Sequence, residues 1–322
     1  MTQKKLNWGL IGAGDIARKR IAPALRDLPN CDFVSVSRQQ ADFAEAFAVE
    51  FGAKKWFADW RELINDSGID AVYIATPVFL HAEQTIAAAN AGKHVLCEKP
   101  MALNVKECDE MIAACKANNA KFGIAYYRRF YPVIDRIKQL IESDKLGKIA
   151  VVQINAFEYF EPTEGNPRRW LIEKAKSGGG PLIDFGCHRI EVLINLFGKI
   201  TRTESIISNN IFGREVEDTA TVLMQFDSGT NAVLTITHSA LESQDTLDIY
   251  GTKGSIHVAI LNSGELKLRI GNKEKIEFHP PINNVNLPLI NDFTESVLQD
   301  IELKLNGELG REIALIIEEI YQ

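Results

Sequence analysis

A glycine-rich turn between an apolar run and a helical pattern is the feature that most constrains the fold of this chain. Residues 6–11, LNWGLI, predict a buried strand, and residues 12–17, GAGDIA, follow it directly and open a helix. In this G-x-G-x-x-A spacing, Gly12 allows a tight turn, Gly14 lets backbone amides approach a phosphate, and Ala17 lets helix and strand pack closely. Because the helix N-terminus then faces the negative charge, the turn predicts a dinucleotide site instead of a plain structural turn.

The alternation of short apolar runs and helical patterns continues through the first 125 residues. Further strands are predicted at residues 33–36, 71–75, 94–97 and 122–125. Helices are predicted at residues 16–28, 43–51, 81–91 and 105–118. Strands that are apolar throughout and are separated by helices are typical of a parallel sheet covered on both faces. We therefore predict an α/β chain that begins with a Rossmann domain, a doubly wound parallel sheet.

The pattern changes at about residue 147. Segments with β-branched or alternating residues then predict strands at residues 148–157, 220–226, 231–238, 246–250 and 255–259. Turn sequences separate several of these segments, which favours antiparallel hairpins. Helical patterns occupy residues 131–143, 183–196 and 290–320. The predicted domains are residues 1–125, which bind the dinucleotide, and residues 126–322, an α+β domain with a mostly antiparallel sheet.

Length and composition exclude several classes of function. The chain has 322 residues, enough for two domains, and a net charge of −7 without any Lys/Arg-rich run, which argues against nucleic acid as a partner. No stretch approaches the roughly 18 apolar residues of a membrane span. The five cysteines are odd in number and form no CxxC pair, so we expect buried free thiols and a reducing, cytoplasmic setting.

The end of the second strand bears on the choice of dinucleotide. An NAD-binding domain usually has an acid there, about 20 residues past the glycine motif, for the ribose 2′-OH. This chain has Ser37 and Arg38 instead, and a hydroxyl with a guanidinium suits a 2′-phosphate. We therefore expect NADP to be favoured, with NAD possible. The alternative is a solvated arginine at a strand end.

Two further turns follow neighbouring strands of the predicted sheet. Thr76 and Pro77 come after the third strand, and Glu98-Lys99-Pro100 comes after the fourth. Ligands of open α/β sheets bind outside the carboxyl ends of the strands. The charged triplet should therefore lie where the nicotinamide is expected.

An acid and a histidine form a second candidate cluster. Asp184 and His188 follow the glycine run at residues 178–181, and a spacing of four puts both side chains on one helical face. A carboxylate beside an imidazole holds its tautomer and raises its basicity. The alternatives are a packed histidine and a metal pair with Glu191. Two ligands without a third are weak evidence for metal, so none is predicted.

Five segments, in order along the chain, resemble the oxidoreductase family named after glucose–fructose oxidoreductase, inositol dehydrogenase and MocA. They are GAGDIA at 12–17, IATP at 74–77 with His81 after it, GKHVLCEKPMAL at 92–103, YYRRFYP at 126–132 and GGGPLIDFGCH at 178–188. The combination of EKP with GGGxxxDxGxH is very specific. Departures at residues 78–80, where the family often has Asn, and at Glu191, where it often has Asp, leave the identity of the substrate open.

The resemblance implies a Rossmann domain followed by a substrate-binding domain with an open, largely antiparallel sheet. Because the uncovered face of such a sheet should be buried against another copy, we expect a homodimer or homotetramer built on the second domain. The resemblance also implies NAD(P)-dependent oxidation or reduction of a sugar, polyol or related carbonyl compound. Lys99, Asp184 and His188 match the family residues around the reacting carbon. We expect His188 as the acid/base, Lys99 as oxyanion stabiliser and proton relay, and Asp184 as the orienter of substrate hydroxyls, with the roles of Lys99 and His188 interchangeable.

The remaining expected contacts follow from the same segments. The cofactor contacts are Gly12, Gly14, Asp15, Ile16, Ser37, Arg38, Thr76, Pro77, His81, Glu98 and Lys99, with Glu98 by the nicotinamide ribose. The substrate contacts are Tyr126, Arg129, Arg169 and Trp170, although a surface arginine and a core tryptophan are the alternatives for the last two. The Lys99–Pro100 peptide is a candidate cis bond.

Three other functions share this set of features. A redox-assisted glycosidase would use the same cofactor without net turnover of it. A non-catalytic cofactor-binding sugar sensor would keep the fold without the chemistry, but the presence of Lys99, Asp184 and His188 argues against it. A bile-pigment reductase would share the fold, but Asp184 and His188 fit polyol chemistry better.

Overall fold

The structure, a computed structural model, describes residues 4–322 and divides into two compact units. Unit 1 takes in the chain up to Tyr127 together with Asn284–Ala314. Unit 2 takes in Arg128–Asn283 and Leu315–Gln322. The first boundary lies two residues from the prediction, but the assignment of everything after residue 125 to the second domain differs from the structure, which returns a C-terminal segment to unit 1.

Unit 1 is built on a six-stranded, fully parallel sheet in the order β3-β2-β1-β4-β5-β6. The strands are β1 Leu6–Ile11, β2 Cys31–Ser37, β3 Lys55–Phe57, β4 Ala71–Ile74, β5 His94–Cys97 and β6 Phe122–Ile124. Every residue of β4 is buried, as expected for a sheet covered on both faces. The predicted Rossmann architecture is therefore confirmed. The short edge strand β3 was not predicted, because three residues leave too little pattern.

Five helices connect these strands. They are α1 Ala22–Asp27, α2 Ala41–Phe51, α3 Trp60–Ile64, α4 His81–Asn90 and α5 Val105–Ala117. Ahead of α1 the chain forms a π-helical turn over Ala17–Ile21, so the predicted single helix at 16–28 is not uniform. Pro23 lies in the first turn of α1 and has no amide hydrogen, which accounts for the altered hydrogen bonding just before it. The short α3 was also missed.

Unit 2 is built on an eight-stranded sheet in the order β14-β13-β12-β11-β7-β10-β9-β8. The strands are β7 Ile149–Tyr159, β8 Ile200–Ser208, β9 Thr219–Phe226, β10 Asn231–Thr237, β11 Ser239–Gly251, β12 Gly254–Val258, β13 Glu265–Ile270 and β14 Lys273–Phe278. The pairing of β7 with β10 is parallel, and the other pairings in the sheet are antiparallel. The predicted mostly antiparallel sheet is confirmed, with β8, β13 and β14 as unpredicted strands.

The helices of unit 2 are α6 Pro132–Glu142, α7 Lys174–Ser177 and α8 Cys187–Phe197, and a π-helical turn over Leu182–Gly186 leads into α8. The strands alternate in burial. In β9, Val222 and Met224 are buried, whereas Leu223 between them is 54% exposed. One face of the sheet therefore supplies the core, and the other carries exposed side chains.

The chain ends in two helices, α9 Leu287–Leu298 and α10 Gly307–Tyr321. The continuous helical segment predicted at 290–320 is wrong, because Asp300 adopts a left-handed φ of +52° and interrupts it. Within unit 1, the indole nitrogen of Trp8 donates to Thr294 at 3.3 Å, and the rings of Trp8 and Phe293 lie 5.4 Å apart. Buried side chains of α9 therefore complete the core beside β1.

All five cysteines are buried and free, as predicted. Among residues 4–322, no helix is long and apolar enough to cross a bilayer.

Candidate active site

A cavity of about 750 Å³ lies in unit 1 at the carboxyl ends of β1, β2 and β4. Its wall includes the predicted cofactor residues Gly12, Gly14, Ser37, Arg38, Thr76 and Pro77. Trp60 and Arg61 of α3 also line it, and the sequence did not single them out. Its position at the strand ends is the one that dinucleotides occupy in doubly wound sheets.

The two motif glycines meet different requirements. Gly12 has a φ of +96°, and a Cβ there would lie 2.8 Å from the carbonyl oxygen of Ala75. A Cβ at Gly14 would meet no protein atom within 4 Å. The fold itself therefore requires glycine at position 12, whereas position 14 keeps its backbone open to a ligand. This open backbone fits the pyrophosphate of a nicotinamide dinucleotide.

Arg38 is held across the glycine turn and is not a freely solvated arginine. Its Nη1 donates to the carbonyl oxygen of Ala13 at 2.8 Å, and its Nε donates to Gln40 Oε1 at 3.1 Å. Its guanidinium carbon lies 4.7 Å from the centre of the Phe43 ring. Ser37 beside it is buried. The protein thus places a cation at the end of β2, where the adenosine ribose of a dinucleotide lies.

The turn after β5 carries Glu98 and Lys99, and the Lys99–Pro100 peptide is cis, as predicted. Glu98 is buried, and its Oε1 accepts a hydrogen bond from the Tyr73 hydroxyl at 2.8 Å. The side-chain amide of Asn286 donates to the same hydroxyl at 3.4 Å. Burial raises the pKa of Glu98, while Lys99 and the Tyr73 hydroxyl oppose that shift. The Tyr73 hydroxyl therefore fixes the Glu98 carboxyl, and Asn286 in turn fixes the Tyr73 hydroxyl.

His81 has a different place from the predicted cofactor contact. Its ring is 1% exposed, with Nδ1 at 3.0 Å from the carbonyl oxygen of Pro100 and Nε2 at 2.9 Å from that of Thr76. Burial lowers its pKa. Because both ring nitrogens face backbone carbonyls, His81 joins the turn after β4 to the turn after β5 and supports the cavity from within the protein.

Asp15 and Ile16 do not line the cavity, and their contact with a dinucleotide stays a prediction. The side chain of Asp15 is 78% exposed and forms an ion pair with Lys19, one helical turn later, at 2.9 Å. Ile16 is half-buried at the start of the helix.

In unit 2, the side chain of Tyr321 and the backbone of Glu217 pack directly against the glycine run and leave no room for a Cβ. A Cβ at Gly179 would lie 2.2 Å from the Tyr321 hydroxyl, and a Cβ at Gly180 would lie 2.1 Å from the carbonyl oxygen of Glu217. The carboxylate of Glu217 accepts from the amides of Gly180 at 2.8 Å and Leu182 at 3.0 Å, and from the Tyr321 hydroxyl at 2.8 Å. Burial raises the pKa of Glu217, and these donors oppose the shift. Glu217 thus fixes the start of the segment that carries Asp184.

Asp184 and His188 lie on one continuous helical segment. Asp184 belongs to the π-helical turn Leu182–Gly186, and His188 is the second residue of α8. His188 is 4% exposed, and the side chain of Asp184 is 14% exposed. The predicted pair is therefore on one segment and mostly enclosed, while Lys99 belongs to unit 1.

Two further charged or titratable side chains face Asp184 within unit 2. Nη2 of Arg168 lies 3.6 Å from Oδ2 of Asp184, and Nε2 of His238 lies 3.9 Å from the same oxygen. His238 is fully buried, and burial lowers its pKa to about 4. Neither residue was singled out from the sequence.

The predicted substrate contacts divide between half-buried and fully buried positions. Arg129 donates from Nε to Glu191 Oε1 at 2.6 Å, and Glu191 is completely buried, with a pKa that burial raises to about 7. Arg169 and Trp170 are half-buried in a short 3₁₀ helix. Tyr126 is 1% exposed in unit 1, so its side chain belongs to the core in this structure and differs from the predicted contact.

Sequence reasoning missed the residues that act through tertiary contacts. They are Tyr73, Asn286, Glu217, Tyr321 and His238. Tyr73 was the one with a local signal, because its hydroxyl is the polar group in the otherwise apolar strand β4. The partners of the others are distant in sequence.

Comparisons with known proteins agree with this architecture. The family described as "Oxidoreductase family, NAD-binding Rossmann fold" matches residues 6–126, and the GFO/IDH/MocA C-terminal domain matches residues 134–257. Oxidoreductase P35 of Formosa agariphila is 32% identical over 292 residues, which is 89% of each chain. The 1,5-anhydro-D-fructose reductase of Ensifer adhaerens is 31% identical over 77% of this chain and 74% of its own.

A solved structure of a levoglucosan dehydrogenase with NADH and levoglucosan superposes with a TM-score of 0.91 at 25% identity. The superposition covers 99% of this chain and 96% of that one. The similarity in sequence and in fold therefore extends over both units of the chain.

Proposed function

Because the chain belongs to the Gfo/Idh/MocA oxidoreductases, we propose that it transfers a hydride between NADP(H) and a sugar, a polyol or a related carbonyl compound. The observation that carries the proposal lies within unit 1. The glycine turn after β1 and the Glu98-Lys99-Pro100 turn after β5 are at the same edge of one parallel sheet, with β4 between their strands. This edge is where doubly wound sheets bind their ligands.

The preference for NADP rests on the end of β2. Arg38 is half-buried in the cavity wall and anchored to Ala13 and Gln40, so its cation is already positioned before a ligand arrives. Ser37 adds a hydroxyl and occupies the place where an acid selects NAD. A charge-assisted contact with a 2′-phosphate contributes about 1.5–3 kcal/mol, which corresponds to roughly 10- to 100-fold in affinity.

The protein's own residues orient the substrate and transfer the proton of its reacting hydroxyl. The dinucleotide, when bound, supplies or accepts the hydride. His188 takes the proton from the reacting hydroxyl during oxidation and returns it during reduction, which is a contribution of typically 10²–10⁴-fold. The Lys99 ammonium is suited to stabilise negative charge that develops on a substrate oxygen. Asp184 accepts hydrogen bonds from neighbouring substrate hydroxyls and so orients the carbon that reacts.

The class of substrate follows from the polar groups around Asp184 and from the relatives. Asp184 with Arg168, and Arg129 with Glu191, offer acceptors and donors within unit 2 that suit a polyhydroxylated molecule. Proteins similar to this chain are named for 1,5-anhydro-D-fructose and for levoglucosan. Cyclic and anhydro sugars are therefore the first substrates to try.

The test is a spectrophotometric assay of NAD(P)H with a panel of sugars, anhydro sugars and polyols in both directions. The proposal expects stoichiometric formation or consumption of NADPH with at least one of them. Release of a free sugar without net change in NADPH would instead indicate the redox-assisted glycosidase. Tight binding of NADPH and a sugar without any turnover would indicate a sensor, and either result would reject the proposal.

We also propose that the chain assembles as a homodimer or homotetramer through unit 2. On the open face of its sheet, Leu223 is 54% exposed and Ile206 of β8 is 77% exposed. Large apolar side chains that share an exposed sheet face are often covered by another copy of the chain. Light scattering at micromolar concentration should give a multiple of the chain's 35.9 kDa, and a single species at that mass would reject the assembly.

A further inference from the structure

His238 is a buried polar side chain for which the fold provides no hydrogen-bond partner. It is 0% exposed, and neither Nδ1 nor Nε2 has a partner among residues 4–322. The ring centres of Phe160 and Phe185 each lie 5.1 Å from its own. An apolar ring would suit such surroundings better, because a buried polar group without a partner destabilises a fold. The fold alone therefore does not account for a histidine here.

The ring is neutral at physiological pH. Burial lowers its pKa to about 4, and the nearby Arg214 and Arg168 lower it further, while Asp184 and Asp218 oppose the shift. A neutral imidazole has one nitrogen that donates and one that accepts. His238 can therefore offer a single N–H, and its use depends on the acceptor nearby.

The acceptor within reach is the carboxylate of Asp184. Nε2 of His238 lies 3.9 Å from Oδ2, about 1 Å beyond an ordinary hydrogen bond. Arg168 approaches the same oxygen at 3.6 Å with a half-exposed side chain. The side chain of Asp184 is 14% exposed, whereas that of His238 is 0% exposed. Asp184 is thus the member of the pair that can touch a ligand, and His238 can act only through it.

We propose that His238 is a positioning residue for Asp184. When the Asp184 carboxylate turns to accept a hydrogen bond from a substrate hydroxyl, the Nε2–H of His238 donates a hydrogen bond to the carboxylate from the opposite side. This second hydrogen bond fixes the orientation of the carboxylate. The inference deepens the proposed function and rests on it, since it needs Asp184 to bind substrate hydroxyls. It also accounts for a polar ring between Phe160 and Phe185 that the free protein leaves unpartnered.

His238→Phe separates this role from packing, because phenylalanine fills the same aromatic site without a polar group. The melting temperature should stay the same or rise by about a few degrees, as the unpartnered nitrogens are removed. NADPH affinity should stay within about twofold, since the cavity for the dinucleotide lies in unit 1. The kcat/KM for the sugar or polyol should fall by about tenfold or more. His238→Gln, whose amide places a donor near Nε2, should restore part of that loss.

Two results would overturn the proposal at this stage. A kcat/KM within about twofold of wild type for His238→Phe would make His238 a packing residue. A lowered melting temperature with a loss of activity that glutamine does not restore would make its role structural.

Asp184→Asn completes a double-mutant cycle. The proposal expects His238→Phe to add less than about twofold once Asp184 has been changed, because the two side chains act as one unit. A full additional loss in the Asp184→Asn background would show that His238 acts on something else and would reject the inference.

A measurement without turnover keeps the inference separate from the proposed function. Nitrogen-15 NMR of histidine-labelled protein reports which ring nitrogen carries the proton. The proposal requires the Nε2–H tautomer at His238, assigned by its loss in His238→Gln, and the Nδ1–H tautomer would overturn it. If wild type turned over no sugar or polyol, the proposed function would fail, and this measurement would still decide the state of the pair.

Discussion

The sheets of the two units illustrate two ways in which a chain prepares a site. In unit 1, the parallel strands are buried on both faces, and the cavity forms where turns with special backbone geometry leave the strand ends. In unit 2, the strands bury alternate residues, and Asp184 gains its surroundings from side chains of several separate elements. Backbone geometry therefore prepares the first region, and side-chain electrostatics prepares the second.

This difference has a consequence for substitutions. A site made by backbone is insensitive to most side-chain changes, because amides and glycines do the binding. A site made by buried charged and polar groups is sensitive to each of them, because a lost partner leaves its neighbour uncompensated. Substitutions in the two units should therefore have separable effects on cofactor binding, turnover and stability.

Lys99 tests this comparison most strongly. It lies in unit 1, where backbone geometry prepares the site, but we expect its side chain to act in turnover. Lys99→Met keeps the length of the side chain and removes its charge. The kcat should fall by about 10²-fold or more, the scale of losing one oxyanion or proton-transfer group, and kcat/KM should fall with it. NADPH affinity should remain within about twofold, because the glycine turn and Arg38 are intact.

The control for Lys99→Met is Lys106→Met on α5, where the side chain is 86% exposed. Stopped-flow or steady-state kinetics with fluorescence titration of NADPH would measure both quantities. Tight cofactor binding with near-normal kcat in Lys99→Met would make Glu98-Lys99-Pro100 an ordinary charged turn.

Arg38 sharpens the comparison, since it is a side chain added to a backbone site. Arg38→Ala should weaken NADP binding by about 10- to 100-fold and change NAD binding much less, because only NADP carries the 2′-phosphate that we expect the guanidinium to bind. Isothermal titration with both dinucleotides measures the difference. Arg26→Ala, an exposed arginine paired with Asp27, is the control. Equal affinities for NAD and NADP in wild type would contradict the expectation.

A matched pair of tyrosines compares the units directly. Tyr73 donates to Glu98 in unit 1, and Tyr131 donates to Asn262 at 2.9 Å in unit 2. Tyr73→Phe removes a donor that lowers the pKa of Glu98, so that pKa should rise further. Because a protonated acid is a weaker acceptor than a carboxylate for the ribose hydroxyl that we expect Glu98 to bind, the acidic limb of NADPH binding should move to higher pH.

The expected effect of Tyr73→Phe on NADPH affinity is about threefold to tenfold near that limb, from one lost hydrogen bond of roughly 1 kcal/mol. Tyr131→Phe should lower stability by a similar or smaller amount without moving the profile. Binding titrations from pH 5 to pH 8 would compare them. Identical profiles for the two variants would mean that the Tyr73 hydroxyl does not act through Glu98.

The smallest effect concerns the buried acid of unit 2. Burial raises the pKa of Glu191 from its ordinary 4.5 to about 7, and the contact with Arg129 does not fully offset this. An acid whose pKa is higher in the folded state stabilises the fold below pH 4.5, and that contribution is lost as the pH rises through about 7. The contribution of Glu191 to the free energy of unfolding therefore falls as the pH rises from 4.5 to about 7.

Glu191→Gln keeps the shape and removes the titration, so the stability difference between pH 5 and pH 7 should shrink by on the order of 1 kcal/mol. Urea unfolding at both values measures it. Glu50→Gln, at an exposed ion pair with Arg18 in unit 1, should leave the difference as it is. If Glu191→Gln left the stability difference between pH 5 and pH 7 unchanged, Glu191 would already be ionised at pH 5.

The sequence by itself determined the elements whose signals are local. The strand, glycine turn and helix at residues 6–21, the parallel sheet and the glycine run before Asp184 all follow from residues close together in the chain. Steric limits on glycine and proline, and the periodicity of apolar residues, act over one or two turns. A single sequence therefore carries them.

Tertiary structure alone decided the contacts between residues that are far apart. The hydrogen bond from Trp8 to Thr294 of α9 joins positions 286 residues apart. The carboxylate of Glu217 accepts a hydrogen bond from Gly180, which is 37 residues away in the chain. Asn286 contacts Tyr73, and His238 lies 3.9 Å from Asp184, without any local pattern at Asn286 or His238 that predicts the contact. Such contacts depend on where the folded chain places each side chain, and hydrogen bonds and desolvation act over a few ångströms in space, whatever the separation along the chain.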